Sequence, residues 1–208
     1  MSYDLSELNK KFEKSSPESI INFVLEQAKQ PIVTTNFGPY SASLLHALNT
    51  LDASIPIIWA DSGYTLSTTY KFIQKLEEHI ELNLHIYAPK YTRSYLDYHY
   101  VDYMASPEGH QAFTNIVKIE PIKRAFDQHQ PDIWFTNIRK TQTTFRESLG
   151  IFSKSPSGLL KVSPFYHYDD KRINDYLKKH NLPNELMYFD PTKLVENQEC
   201  GLHLSVFT

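Results

Sequence analysis

Cysteine is almost missing from this chain: Cys200 is the single one in 208 residues. A lone thiol closes no internal disulfide and cannot complete a cysteine-ligated zinc or iron-sulfur site, so a disulfide scaffold and a cluster protein are both excluded. No apolar run approaches the roughly 18 residues that cross a bilayer, and residues 1–5 carry no basic and apolar signal pattern. Neither sign of charge dominates. With 21 Lys and Arg against 24 Asp and Glu the net charge is -3, which leaves no basic footprint for nucleic acid, so an anionic ligand has to be met by a local cluster. Nine histidines include no H-E-x-x-H pattern and no i,i+4 pair, so no metal site is expected. Glycine is also scarce, at six residues, and 41% hydrophobic residues suffice for one sizeable core. These absences predict a cytoplasmic protein with a small-molecule ligand, no membrane partner and no nucleic acid. It divides into an α/β domain over residues 1–183 and a tail over 184–208.

The remaining pattern is a repeated grammar. Residues 5–14 and a second stretch opened by Ser16-Pro17-Glu18 read as helices, the latter with Ser16 as cap and Pro17 in the first turn, running up to Gln30. Pro31-Ile32-Val33-Thr34-Thr35 then reads as a buried strand that enters Asn36-Phe37-Gly38-Pro39-Tyr40-Ser41 before a helical run over 42–48. The cycle recurs: a strand over 55–60, the turn Asp61-Ser62-Gly63-Tyr64, an amphipathic helix over 67–80 and a strand over 82–88. Alternation of this length implies parallel β-α-β units with right-handed crossovers, hence a three-layer, mostly parallel twisted sheet with helices on both faces. Ligands of such sheets sit beyond the carboxyl ends of the strands, which puts both glycine turns on one edge. A strand, glycine turn and helix suits phosphate but is also plain punctuation, and Asp61 either holds a ribose hydroxyl or caps its helix.

Downstream, Tyr91, Tyr95, Tyr98, Tyr100 and Tyr103 fit a helix over the sheet edge, a lid or a docking face. Ser106-Pro107-Glu108-Gly109 reads as a loop, residues 112–128 as a helix kinked or broken at Pro121, and 132–136 as the fourth strand. Beyond it Asn137-Ile138-Arg139-Lys140-Thr141-Gln142-Thr143-Thr144-Phe145-Arg146 gathers three cations, which suit a tetrahedral oxyanion or form a solvated basic loop. Residues 159–164 read as a last strand, Asp169 caps a helix to His180, and residues 184–208 lack periodicity and wrap the surface. Cys200 is either a small buried hydrophobe or a nucleophile, and the polar neighbours Glu199, Gly201 and His203 fit the second.

In order, Thr34-Thr35-Asn36-Phe37-Gly38, residues 55–64 with Thr69-Tyr70-Lys71-Phe72, Lys118-Ile119-Glu120-Pro121, Arg139-Lys140-Thr141-Gln142 with Arg146, and Glu199-Cys200-Gly201-Leu202-His203 resemble the motifs of the phosphoadenylyl-sulfate (PAPS) reductases. The resemblance implies an adenine nucleotide α-hydrolase-like fold and thiol-dependent reduction of 3′-phosphoadenylyl sulfate to sulfite, with reduced thioredoxin or glutaredoxin as electron donor. It implies Cys200 as catalytic nucleophile with His203 as a candidate helper. Thr35, Asn36, Phe37, Gly38, Ser41, Asp61, Ser62, Gly63 and Tyr64 would hold the nucleotide, and Arg139, Lys140, Gln142 and Arg146 its phosphate and sulfate. No bound cofactor is implied. Relatives with an iron-sulfur cluster carry a cysteine pair near Phe113 and Thr114 and another nearer the C terminus, and both pairs are missing here. Longer relatives also place a Gly-Tyr-x-Ser-x-Gly segment before the tail, where this chain has Tyr188-Phe189-Asp190-Pro191-Thr192-Lys193-Leu194, and Thr141 and Phe145 replace residues usually acidic and small. The alternatives are a cluster-free adenylyl-sulfate reductase and a non-reducing nucleotide-binding sensor or accessory protein. A homodimer is one assembly open to either.

Overall fold

The computed structural model describes residues 4–99, 103 and 106–193. Its strands are β1 (Pro31–Thr35), β2 (Ile57–Ala60), β3 (Leu84–Tyr87), β4 (Ile133–Phe135), β5 (Phe152–Lys154) and β6 (Leu160–Val162), in spatial order β3-β2-β1-β4-β6-β5. All neighbouring strands pair in parallel except β5 with β6. The helices are α1 (Leu5–Phe12), α2 (Pro17–Leu25), α3 (Ser41–Leu51), α4 (Ser67–Glu77), α5 (Arg93–His99), α6 (Pro107–Thr114), α7 (Glu120–His129), α8 (Thr144–Glu147) and α9 (Asp170–Lys179).

Period-two alternation distributes the strands between two cores. On β1, Ile32 faces one side with Ile58 and Trp134, against Ile122, Ala125 and Phe126 of α7. Val33 faces the other with Ile57, Trp59, Phe135 and Val162, where α1 to α4 and α9 supply Phe12, Ile21, Leu45, Phe72 and Ile173. Both faces are therefore covered, which explains why the short strands read as continuous apolar runs. The carboxylate of Asp132 accepts from the backbone N–H groups of Lys29 and Gln30 at 2.8 and 2.9 Å, fixing the start of β4 against the approach to β1.

Three local readings change. Ser106-Pro107-Glu108-Gly109 opens α6 rather than forming a loop, with the Ser106 hydroxyl accepting from Gly109 N–H at 3.0 Å. It is the same Ser-Pro-Glu start signal that opens α2, so the physical cue was present twice. Pro121 does not break the helix. Asn115–Ile119 form a π-helical turn between α6 and α7, and this widened turn precedes the residue that has no N–H to give. The helix opened by Ser16 ends at Leu25, short of Gln30.

Sequence periodicity also missed β5, which has only three residues. It forms a hairpin with β6 over residues 155–159, where Gly158 takes φ +85°. This edge strand is closed off by a side chain. Asn9 of α1 donates to Phe152 C=O and accepts from Phe152 N–H, both at 2.9 Å, and so imitates a neighbouring strand. Next to it Gly150 has φ +111°, and a Cβ there would lie 2.8 Å from the Asn9 amide. Asn9→Ala is expected to cost about 1–3 kcal/mol, since it strands two backbone groups of the edge strand. Urea unfolding compared with the parent chain checks it.

Candidate active site

The order β3-β2-β1-β4-β6-β5 reverses direction at β1, with β2 on one side and β4 on the other. The turns leaving β1 and β4 therefore diverge and leave a crevice between them, the usual ligand position of an open parallel sheet. That crevice has a volume of about 940 Å³, with Thr35, Asn36, Gly38 and Ser41 from one turn and Arg139, Gln142 and Arg146 from the other.

The turn after β1 is strained and pinned. Phe37 and Tyr40 take φ +50° and +64°, conformations that cost of order 1–3 kcal/mol each for residues with a side chain. Several contacts offset the cost. The Thr35 hydroxyl accepts from Phe37 N–H and the Asn36 amide oxygen from Gly38 N–H, each at 3.0 Å. Tyr40 N–H donates to the Asn184 side chain at 2.8 Å, and Tyr40 C=O accepts from the Asn137 amide at 3.0 Å. A Cβ on Gly38 would meet the Asn36 amide oxygen at 3.1 Å and the Tyr188 ring at 3.2 Å, so close approach, not a positive φ, calls for glycine here. The result aims the N-terminus of α3 at the crevice with no side-chain cap on it. The buried Ser41 hydroxyl has no hydrogen-bond partner among the described residues.

Across the crevice, Arg139 is buried and carries an unpartnered Nε. Its Nη1 donates to Asp170 Oδ1 at 2.6 Å, and the guanidinium lies 4.8 Å from the centre of the Tyr40 ring. Gln142 accepts from Arg139 N–H and from Arg146 Nη1, which ties the two arginines to one amide oxygen. A helix N-terminus, two guanidinium groups and a buried hydroxyl on facing walls are donor types that suit a phosphate- or sulfate-like oxyanion.

Phe37, Asp61, Ser62, Gly63, Tyr64 and Lys140, also expected at the site, do not line this crevice. The Phe37 ring is fully buried, edge-on to Trp59 at 5.2 Å, and belongs to the core beneath the turn. Asp61, Ser62, Gly63 and Tyr64 follow β2, one strand away from the reversal. Asp61 Oδ1 accepts from Gly63 N–H at 3.0 Å and Thr65 at 3.1 Å, while Oδ2 accepts from the Tyr70 hydroxyl at 2.6 Å. Burial, with that last bond, pushes the Tyr70 phenol up to about 12. The Ser62 hydroxyl accepts from Tyr64 N–H, and the Tyr64 hydroxyl donates to Asp97. Lys140 faces a neighbouring hollow with Thr141, Thr143 and Phe145. Cys200 and His203 lie outside the described residues. Phe113 is buried and stacked on Tyr103 at 3.8 Å.

Two crevice residues escaped the sequence reading of the site. Lys118, from the π-helical turn, donates to Asp190 Oδ2 at 2.6 Å and to the Thr192 hydroxyl at 3.0 Å. Both ends of that ion pair are almost wholly buried, at 13% and 6% side-chain exposure. Burial would raise the Asp190 carboxyl, but the Lys118 ammonium and two hydrogen bonds from Thr192 outweigh it and hold it below the ordinary 3.8. Lys118 stood in a recognisable Lys-Ile-Glu-Pro run, whereas nothing local marks Asp190.

Comparison with known proteins gives one consistent family. Residues 30–192 match the family model of the phosphoadenosine phosphosulfate reductase domain. A phosphoadenosine 5′-phosphosulfate reductase of Proteus mirabilis is 32% identical over 181 residues, 86% of this chain and 74% of that protein. One from Xylella fastidiosa is 32% identical over 182 residues, 86% and 76% of the two chains. Among solved structures, a phosphoadenylyl-sulfate reductase from Candida auris, crystallised as a phosphate complex, superposes with a TM-score of 0.77. It has 22% identity and covers 89% of this chain and 91% of its own. Candida glabrata FMN adenylyltransferase shares the fold at a TM-score of 0.58 and 16% identity, over 81% of this chain and 55% of its own.

Two outcomes follow from the geometry. Phe37→Ala should lower stability by about 3–5 kcal/mol, as for a buried aromatic, and chemical denaturation reads it. The stabilisation that Asp190 gives should be complete above pH 3.8 and disappear as the pH falls below it, through the native value. The difference in melting temperature between the parent chain and Asp190→Asn, followed downward from pH 7, should therefore close only under acid.

Proposed function

Because the chain belongs to the phosphoadenosine phosphosulfate reductase family, we propose that it reduces 3′-phosphoadenylyl sulfate to sulfite, with Cys200 as nucleophile and a dithiol protein such as thioredoxin or glutaredoxin as reductant. The observation that carries the reading is the crevice at the sheet reversal, where Ser41, the start of α3, Arg139 and Arg146 converge.

In the first step the Cys200 thiolate attacks the sulfur of the sulfonucleotide. An S–S bond forms, the bond from sulfur to the bridging oxygen breaks, and adenosine 3′,5′-bisphosphate leaves with the electron pair. In the second, a thiolate of the reductant attacks Cys200 Sγ and sulfite departs with the pair from the S–S bond. The second thiol of the reductant then opens the mixed disulfide, so that two electrons pass to the sulfonate sulfur and the donor ends as a disulfide. A single cysteine makes an external resolving thiol necessary.

The residues of the crevice have two tasks in this scheme. Arg139 and Arg146, fixed by Gln142, neutralise charge that grows on the leaving phosphate, and preset donors of that kind stabilise the transition state without reorganising. The same positive field favours the thiolate form of Cys200, whose unperturbed pKa is about 8.5. The Asn36 to Ser41 turn receives the nucleotide, and Lys140 adds positive charge beside the crevice.

Incubating the protein with 3′-phosphoadenylyl sulfate and no reductant should add the mass of one SO₃ group on Cys200, released as sulfite when reduced thioredoxin is supplied. Cys200→Ser should form neither adduct nor sulfite while binding adenosine 3′,5′-bisphosphate with unchanged affinity. A wild-type chain that binds the nucleotide but never gains the adduct would instead be a non-reducing nucleotide binder.

A further inference from the structure

One wall of the crevice is supplied by residues 184–193, which follow α9 without regular secondary structure. This strap is held at three places. The Asn184 side chain accepts from Tyr40 N–H at 2.8 Å, the Tyr188 ring rests where only Gly38 leaves room, and Asp190 meets Lys118. Between the anchors the apolar side chains gain little. Leu186, Met187 and Phe189 are 77%, 66% and 52% exposed, an unfavourable arrangement for a segment held by hydrophobic burial. Two polar contacts and one ring contact therefore fix the strap, and the Lys118–Asp190 pair is the more buried of the polar ones.

The pair is also chemically suggestive. Lys118 and Asp190 both line the crevice that Arg139 and Arg146 line. A carboxylate has the charge and the oxygen geometry of one edge of a phosphate or sulfate, and here it is seated on a crevice cation with Tyr188 and Thr192 as further donors at 3.3 and 2.6 Å. Asp170 stands in the same relation to Arg139. The two differ in one respect. Asp170 is 70% exposed and its loss frees only a surface carboxylate, whereas Asp190 is covered and belongs to the strap.

We propose that Asp190 is an internal stand-in for a ligand oxyanion. It latches residues 184–193 across the crevice through Lys118, and an entering sulfonucleotide displaces it and releases the strap. The exchange is one of like for like. Lys118 trades a carboxylate for a phosphate or sulfate oxygen, and Asp190 moves into water. The ligand must therefore spend part of its affinity on opening the latch, and by linkage an opened latch binds it more tightly. The exchange thus couples occupancy of the crevice to release of residues 184–193, which precede Cys200 in the sequence.

The inference rests on the sulfonucleotide reading of the crevice, and the test separates the two. Chymotrypsin is added to the full chain, and cleavage after residues 186–189 is timed by mass spectrometry with and without adenosine 3′,5′-bisphosphate. Binding of that nucleotide is measured in parallel by calorimetry. A latch requires that Asp190→Asn be cut at least about fivefold faster than wild type without nucleotide, that it bind the nucleotide at least about fivefold more tightly, and that nucleotide accelerate cleavage of wild type but not of the variant. Asp170→Asn should be cut at the wild-type rate. The latch is overturned if nucleotide slows cleavage of wild type, if Asp190→Asn binds more weakly or is cut no faster, or if Asp170→Asn loosens the strap equally. Should wild type bind no nucleotide, the functional reading fails, and inorganic phosphate then decides the latch: acceleration of strap cleavage supports it and no acceleration overturns it.

Discussion

Parallel pairing of β1 with both β2 and β4 is the constraint from which the rest follows. Parallel neighbours force each connection back over a face of the sheet, so the turns that leave the parallel strands emerge on one edge. The reversal at β1 then separates two of those turns. Neither the strained Phe37 to Tyr40 backbone nor the arginine loop is a crevice on its own. They become one because the sheet holds their bases side by side, with Val33 opposite Phe135.

Charge in the crevice is handled in a matching way. Buried or half-buried cations are costly unless paired, and three crevice cations have a local partner: Lys118 with Asp190, Arg139 with Asp170, Arg146 with Gln142. These partners serve stability, and under the proposed function they would also compete with a bound anion. On that proposal the affinity of the crevice would be the difference between two sets of contacts.

Much of this was legible in the residues themselves. Apolar runs bounded by Gly-Pro, Ser-Gly and Asn-Ile-Arg turns gave five of the six strands and located the basic loop at the end of β4, because burial on both faces leaves an unbroken hydrophobic signal. Ser106 opens its helix with the same tripeptide as Ser16, so the start of α6 is written in the sequence as plainly as that of α2. The remainder depends on distance along the chain. No local pattern reports that Phe37 turns inward, that Asp61 is consumed by Thr65 and Tyr70, or that Lys118 and Asp190, 72 residues apart, share a proton donor and acceptor. Side chains at a turn can face core or crevice with the same local sequence, and tertiary packing makes the choice.

The π-helical turn at Asn115–Ile119 has a consequence for how the crevice could be altered. A π turn holds one residue more than an α turn, so deleting one residue within it would restore α-helical winding and leave α6 and α7 close to their present orientation. The change would fall on the side chains of the turn itself, and Lys118, which belongs to it, would lose the bearing on which it meets Asp190 and Thr192. A single-residue change in length, with no charged residue replaced, is therefore enough to remove a positive charge from the crevice wall.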